Sequence, residues 1–492
     1  MNWLKIFPVL VCSFHLAVVS PCGRSEETKP PNVLLVLIDD LKPSFGAYGD
    51  EWVHSPNLDR LAANGMRFDM AYCNQAVCAP SRNNLLVGAR STSLGVYSLG
   101  YHFRRAVPDA VTLPQYFMQN GYHSAGIGKV FHIGHGNIND KNSWSVPFHP
   151  DMVIDYVLPE SNDGKMTKEE ALFSNKPARG LTRGAAWENA DVDDGAYADG
   201  RIAAESIKRL QSYKASGQKF FLAVGFTKPH LPFCAPKKYW DLYKREDMKL
   251  AEFRTPPVGS PKYAGKTLGE INQYKPVPNV PPIPDDMQRT LIHGYYAALS
   301  YMDAQLGRVM NELRTLELDK NTIVVLWGDH GYHFGDHGAW TKHTNYEQAN
   351  RIPILISAPG VTTPGSHSSA LVETVDIYPT ICELAGLTKP NGPQPIDGRS
   401  LVPILQDPNA TVKDHAYHCF PKGGRLGRAI RTARYRLVEW KKPHESTTEY
   451  ELFDYQVDPL EKKNLANEQP KVVRSLLEKL ATHPPAKSRR KK

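Results

Sequence analysis

Cysteine is scarce in this chain, with seven in 492 residues and no C-x-x-C pair. That rules out a disulfide-stapled scaffold and leaves no zinc site of the ordinary structural spacing. Two of the seven, Cys12 and Cys22, fall in an N-terminal apolar stretch. Among Cys73, Cys78, Cys234, Cys382 and Cys419 there is room for one or two bridges, whose pairing the sequence leaves open. Long apolar runs are lacking too. "IFPVLVCSFHLAVV" is short for a bilayer. Behind the charge of "MNWLK" and ahead of small residues, it reads as a signal peptide over 1–22. "VVSPC" also has the outline of a lipoprotein signal ending at Cys22, although Pro21 stands where a small residue is wanted. The expectation is an exported protein, periplasmic or secreted, with lipid anchoring at Cys22 as the variant and no membrane span. A basic face is missing as well. The formal net charge is +8, but "AKSRRKK" alone carries Lys487, Arg489, Arg490, Lys491 and Lys492, so the body is only mildly basic. No nucleic-acid partner is expected, and 483–492 reads as a disordered basic tail.

What is present is a large α/β pattern. "NVLLVLIDD" is a continuous apolar, β-branched run, the mark of a strand buried on both faces of a parallel sheet. "HSAGIGK" (123–129), "KFFLAVGF" (219–226), "TIVVLWGD" (322–329) and "PILISAPG" (353–360) are read as further strands of this type. Helical patterns lie between them, among them "SPNLDRLAANG" and the long "LIHGYYAALSYMDAQLGRVMNELRTLEL". Alternation of this kind predicts an open, mostly parallel sheet flanked by helices. The loops 133–200 and 231–290 are long enough to shape a site. Beyond about 410, short β-like runs and "PKVVRSLLEKLATH" predict a small antiparallel sheet with a helix. The resulting division is a catalytic domain over 30–410 and an α+β subdomain over 411–482.

In open α/β sheets, ligands sit outside the carboxyl ends of the strands. Four predicted strand ends carry charged or titratable groups: Asp39 and Asp40; Lys129 with His132 close behind; Lys228 and His230; Asp329 and His330. Converging Asp39, Asp40 and Asp329 needs a counter-charge, and all-oxygen ligation favours Ca²⁺ or Mg²⁺. Capping of helices or pairing with Arg is the alternative use of these carboxylates. "GDHGYHFGDHGAW" also allows a zinc reading through His330, His333 and His337, but loop spacing cannot show that they converge. Cys78 lies in "NQAVCAPSRNNLLVGAR", where Pro80 fits the first turn of a helix. A helix N-terminus is expected to lower the thiol pKa. A phosphatase-type thiolate would need an Arg six residues on, where the chain has Asn84. A buried structural cysteine is the other plain reading.

"CAPSR" resembles the Cys-x-Pro-Ser-Arg signature of type I sulfatases, in which the cysteine is oxidised to formylglycine (3-oxoalanine). "LLVLIDDL", "QAVCAPSR", "GKVFH", "FFLAVGFTKPHLPF", "GDHGYHFGDHGAWTKHTN" and "ELFDYQVDPLEKKNL" extend the resemblance over most of the chain, toward the iduronate-2-sulfatase branch and related bacterial polysaccharide sulfatases. The resemblance implies an alkaline-phosphatase-like (sulfatase) fold. It implies one Ca²⁺ surrounded by Asp39, Asp40, Asp329 and His330, with modified residue 78 completing the site. His330 stands where many sulfatases have Asn; as a poor ligand for a hard cation, it could contact the sulfate or the diol instead. By the same resemblance Lys129, His132, His230 and Lys342 grip sulfate and move protons, and Arg82 belongs to the signature. Of the two hydroxyls on the hydrated aldehyde, one would take sulfate and the other, deprotonated by His132, would expel it. His230 would protonate the leaving alcohol. After the signature the family's Leu-Thr-Gly-Arg is here Leu86-Val87-Gly88-Ala89-Arg90. The implied partners are a sulfated carbohydrate, from a glycosaminoglycan or algal polysaccharide, and a formylglycine-generating or equivalent maturation enzyme. A phosphonate or phosphate monoester hydrolase of the same superfamily and an inactive carbohydrate-binding relative are the rivals.

Overall fold

The computed structural model describes residues 29–488 except 444 and 446, together with positions 1, 3, 4 and 8. Most of the expected signal peptide, with Cys12 and Cys22, and the last four basic residues therefore lie outside the described residues. In chain order the strands are β1 (Asn32–Ile38), β2 (Met66–Tyr72), β3 (His123–Gly128), β4 (Trp187–Glu188), β5 (Phe220–Phe226), β6 (Phe233–Cys234) and β7 (Thr322–Gly328). They continue with β8 (Ile354–Ser357), β9 (Ser366–Glu373), β10 (Ala416–Lys422), β11 (Arg425–Arg431), β12 (Tyr435–Lys441) and β13 (Thr448–Asp454).

Seven strands form the main sheet in the order β3-β5-β1-β7-β8-β2-β9. β3, β5, β1 and β7 are parallel neighbours, and their ends lie level: Ile38 pairs with both Phe226 and Gly328, and Gly128 with Gly225. The continuous apolar runs arise because every residue of β5 and β7 is buried, as are six of the seven in β1. Alternate residues of β1 feed two cores, Val33, Leu35 and Leu37 on one face and Leu34, Val36 and Ile38 on the other. The fourth expected strand end is level with the other three.

Some expectations change. β8, read as one more parallel strand, runs antiparallel to both β7 and β2. β2 and β9 were not expected at all. The long helix spans Asp285–Thr315, starting earlier than its apolar periodicity because Asp285 and Asp286 occupy a polar first turn after Pro284. The helix Pro56–Ala63 is not capped by the Ser55 side chain. Asp303, on the long helix, accepts from Asn57 N (3.1 Å) and Leu58 N (2.7 Å) instead. The loops 133–200 and 231–290 contain short helices and the parallel pair β4–β6. No disulfide forms among the described residues: the five cysteines there are free and buried. The basic tail is docked as far as it is described, since Lys487 N donates to Thr92 O (2.8 Å) and Tyr97 OH donates to Lys487 O (2.8 Å).

The C-terminal sheet runs β10-β11-β12-β13, antiparallel throughout, with the helix Pro470–Ala481 on one face through Val473, Leu476 and Leu480. The run "RAIRTARYRLVEW" is two strands, β11 and β12, joined by a turn. A charge cluster seats this sheet on the main body. Glu347 Oε2 takes Arg431 Nε (3.2 Å) and Arg436 Nη2 (2.5 Å), Arg436 also pairs with Glu461, and Glu347 Oε1 accepts from Tyr72 OH (2.9 Å). Burial opposes ionisation of Glu347, but Arg431 and Arg436 outweigh it and hold the carboxyl down to about 2. A depressed carboxylate stabilises the fold above its unfolded pKa, near 4.5, and this contribution disappears as pH falls through that range toward 2. We expect Glu347→Gln to cost about 3 kcal/mol at neutral pH by leaving two buried guanidiniums underpaired. Denaturant titrations at pH 7 and pH 3 check this, the difference between wild type and variant shrinking at the lower pH.

Candidate active site

Each strand end delivers its residues to one edge of the sheet. Asp39 and Asp40 follow β1, Lys129 follows β3, Asp329 and His330 follow β7, and the loop after β5 carries His230. Lys129 reaches the edge because the neighbouring strand is glycine there: a Cβ on Gly225 would stand 2.1 Å from the Lys129 carbonyl oxygen. Asp199 fixes the loop after β5, accepting from Thr227 N (2.7 Å), Thr227 Oγ1 (2.8 Å) and Lys228 N (3.0 Å). Lys228 itself turns away from the edge, its Nζ donating to His230 O (3.2 Å) and Pro232 O (2.7 Å).

The helix Cys78–Val87 begins with Cys78, has Pro80 in its first turn, and is entirely buried. It ends at Gly88, whose φ of 71° is left-handed. Cys78 Sγ lies 3.2 Å from His330 Nε2. Four residues on, Arg82 crosses beneath the edge. Its Nε donates to Asp329 Oδ2 (3.0 Å), its Nη2 is 3.2 Å from Asp39 Oδ1, and its Nη1 donates to Lys129 O. Ser81 Oγ donates to Asp329 O (2.5 Å) and Asp40 N to Asp329 Oδ1 (3.0 Å). The signature thus holds the two aspartate strands in register. Arg90, at the departure from the family pattern, is bound elsewhere, bidentate to Glu373 (Nη2–Oε2 2.7 Å, Nε–Oε1 3.2 Å).

The charges are mutually arranged. Lys129 pairs with Asp39, and Lys342 with Asp40 (3.0 Å) and Glu270 (2.8 Å). Burial works against the Asp39 charge, but Lys129, His230 and Arg82 prevail and hold its carboxyl well below the ordinary range. Burial raises Asp40 to about 7 despite Lys342. Burial and then the Asp39 charge push Asp329 well up. Arg82, Lys129 and Lys342 therefore leave the carboxylates short of positive charge. One oxygen of each of Asp39, Asp329 and His330's Nδ1 or Nε2, with Cys78 Sγ, can be drawn from within 4.8 Å of one another; Asp40, Cys78 and His230 form a second such group. Asp39 Oδ1 accepts no hydrogen bond, its nearest charged neighbour being Arg82 Nη2 at 3.2 Å. Hard carboxylate oxygens in deficit of charge fit a divalent cation. His330 belongs to the first of these groups and also contacts the Cys78 thiol. The other two histidines of the zinc reading are occupied: His333 Nε2 meets Thr344 Oγ1 (2.9 Å) and His337 Nε2 meets Leu460 O (2.8 Å).

The expected lowering of the thiol pKa is reversed. Burial pushes Cys78 well above its ordinary value, with Lys342 pulling the other way. One helix terminus does not offset the loss of water around a 2 % exposed thiol. Above Cys78 is a cavity of about 130 Å³ walled by His132, His135, Glu169, Phe173, His230, Glu270 and Lys342 among others. His132 Nε2 is 3.4 Å from His135 Nδ1, while its own Nδ1 has no partner. Burial, then Lys129 and His135, keep the His132 ring neutral. His230 directs Nδ1 to the Leu231 carbonyl and Nε2 to Glu270 Oε1 (3.3 Å). Burial and Lys129 push His230 down to about 3, while Glu270 acts in the opposite direction. Acceptors face both ring nitrogens, and the neutral ring carries one proton to donate to one of them. Glu270 was missed in the sequence because it lies in a long loop with no motif around it.

A family model described as Sulfatase matches residues 31–387, and one described as N-sulphoglucosamine sulphohydrolase, C-terminal, matches 335–484. The chain belongs to the sulfatase family and is a sulfuric ester hydrolase. It is 32 % identical over 548 aligned residues to the human (Homo sapiens) iduronate 2-sulfatase, covering 95 % of this chain and 96 % of that protein. Two solved structures share the fold at TM-score 0.72. One, 21 % identical, holds its substrate D-glucosamine-2-N,6-O-disulfate and is covered to 98 %, against 92 % of this chain. The other, 22 % identical, is the phosphonate monoester hydrolase of Silicibacter pomeroyi, covered to 95 % against 92 % of this chain.

Glu270→Gln removes the acceptor of His230 and one partner of Lys342 together. We expect kcat on an activated sulfate ester to fall by about tenfold or more, with the far-UV spectrum unchanged; wild-type kcat in this variant would leave Glu270 without a part in the site.

Proposed function

We propose that the chain hydrolyses a sulfate ester on a carbohydrate, after Cys78 has been converted to formylglycine. The observation that supports this best is Cys78 itself. It stands in "CAPSR", at the floor of a cavity walled by Lys342 and by titratable groups such as His132, His230 and Glu270, with its thiol held neutral by burial. A buried neutral thiol is a poor nucleophile. The hydrate of formylglycine would supply two hydroxyls on one carbon. A Ca²⁺ held by Asp39, Asp40, Asp329 and His330 would supply positive charge to the sulfate oxygens and to the attacking hydroxyl.

The residues around it take the following parts. Lys129 and Lys342 hold sulfate oxygens through charge-assisted hydrogen bonds, once their carboxylates are engaged elsewhere. Arg82 stays beneath, fixing Asp39 and Asp329 relative to residue 78. His230, through the Nε2 that faces Glu270 in the cavity wall, gives a proton to the leaving sugar oxygen, and neutral His132 accepts one from residue 78 in the second half of the cycle. Export, maturation by a formylglycine-generating or equivalent enzyme, and the boundaries 30–410 and 411–482 complete the reading. Among the described residues no helix is long and apolar enough to cross a membrane.

The second reading, hydrolysis of a phosphonate or phosphate monoester, draws on the equal likeness in fold to the phosphonate monoester hydrolase. The identity to iduronate 2-sulfatase along nearly the whole chain favours the sulfated sugar. Rates on matched aryl sulfate and aryl phosphate separate the two.

Mass spectrometry of the tryptic peptide 68–82 from natively produced protein tests the modification. The expected result is loss of the Cys78 sulfur and gain of a carbonyl oxygen, with Cys73 unchanged; an intact thiol in active enzyme removes the proposed nucleophile. Cys78→Ser is expected to lose steady turnover. Removal of the cation with a chelator is expected to abolish activity and lower the thermal midpoint. Ca²⁺ at a hundredfold its Kd would restore activity together with about 2.7 kcal/mol of stability, measured by calorimetry; an unchanged midpoint would exclude a bound cation.

A further inference from the structure

The catalytic cavity, at about 130 Å³, is small beside the roughly 300–1,000 Å³ of pockets that enclose a whole ligand. It accommodates the sulfate end of a sugar, and the remainder of a longer substrate has to lie outside it. A second and larger cavity, about 420 Å³, opens where the β10–β11 hairpin meets the docked C-terminal segment. Its lining carries six cations, Lys422, Arg425, Arg428, Lys441, Lys442 and Lys487, and one carboxylate, Glu439. Arg428 is paired with Glu439 (2.6 Å), Lys442 with Glu445 (2.6 Å) and Arg425 loosely with Glu449 (3.7 Å). Lys422, Lys441 and Lys487 have no carboxylate partner among the described residues. A positive excess remains after every local pair is counted.

One further cation, Lys266, lies between residues of the two cavities. His343 is in the wall of the catalytic cavity beside Lys342, and its Nδ1 is 3.2 Å from Lys266 Nζ. The same ring stacks on Phe420 of β10 (6.1 Å between centroids), two residues before Lys422. Lys422 is close enough to Lys266 to help burial hold its pKa down. Lys342, Lys266 and Lys422 thus mark a line from the cleavage point to the hairpin groove. Lys342 is neutralised by Asp40 and Glu270, but Lys266 and Lys422 repel each other, and a polyanion laid along them relieves the repulsion.

We propose that this groove binds the sulfated polysaccharide chain beyond the sugar being desulfated, so that the enzyme favours long anionic substrates over short ones. The inference rests on the sulfated-carbohydrate reading of the catalytic cavity. A nucleic acid fits the groove less well. Tyr97 is the one aromatic side chain in the lining; it is buried, with its hydroxyl bonded to Lys487 O, so no exposed ring is available for base stacking. The docked tail contributes through Lys487, which gives the C-terminal segment a function in substrate contact.

The test uses the mature full-length enzyme and the variant Lys441→Gln/Lys487→Gln, whose two side chains are exposed and outside the catalytic cavity. Two readouts are taken: kcat/KM on a size-fractionated heparin oligosaccharide and on its disaccharide, and direct calorimetric binding of the same oligosaccharide. We expect the variant to lose about tenfold in long-chain kcat/KM and affinity, with the disaccharide rate unchanged and the difference disappearing in high salt. Equal loss on both lengths, or no loss on the long chain, would overturn the proposal. A single-stranded oligodeoxynucleotide of the same charge binding as tightly would overturn the polysaccharide assignment. If neither length is desulfated, the reading of the catalytic cavity fails, and calorimetry still decides the groove: a tenfold loss of oligosaccharide affinity in the variant supports it and undiminished affinity rejects it.

Discussion

Three carboxylates buried at one sheet edge are the constraint around which the rest of the molecule is organised. Asp39, Asp40 and Asp329 are each at most 1 % exposed. Charges removed from water to that degree persist only when they are paired and hydrogen-bonded. The fold answers from several directions: Arg82 from the helix Cys78–Val87, Lys129 from β3 and Lys342 from the loop after β7. These partners still leave Asp40 and Asp329 with raised pKa values. The remaining deficit of positive charge is what a bound divalent cation would fill, and the same cation would then attract the sulfate of a substrate. Stability and catalysis here are two uses of the same electrostatics.

The four adjacent parallel strands make this geometry available. Because β3, β5, β1 and β7 end on the same level, groups hundreds of residues apart are brought within hydrogen-bonding distance, as in the 3.0 Å contact of Asp40 N with Asp329 Oδ1. The signature helix then enters from below, and Arg82 ties both aspartate strands to residue 78. The same principle recurs further out. Glu347 draws Arg431 and Arg436 of the C-terminal sheet onto the main body, and that sheet carries the hairpin whose cations continue the positive track. The sheet that Glu347 anchors thus also lines the larger cavity, through β10, β11 and β12.

Legibility in the sequence followed burial. β1, β5 and β7 were readable as apolar runs because they are covered on both sides by helices. β2, "MRFDMAY", and β9, "SHSSALVE", were not, since they interleave polar with apolar residues, β9 at the edge of the sheet and β2 next to it. The direction of β8 was hidden for a different reason: an apolar strand reads the same whichever way it runs. Among the site residues, those at strand ends or in the signature were identifiable from position. Glu270 was not, because no local pattern surrounds it and its importance arises from the 3.3 Å approach to His230 and the 2.8 Å approach to Lys342.

By itself the sequence determined the alternation of strand and helix, the titratable groups at the strand ends, and, through "CAPSR" and its accompanying segments, the family. Those are properties of short stretches, carried by periodicity and by residue type. The order of the strands, the state of the Cys78 thiol, the place of Glu270 and the continuity of Lys342, Lys266 and Lys422 were decided only by the tertiary structure. Each depends on the distance between residues far apart in the chain and on how much water is excluded between them, and neither quantity is written in local sequence.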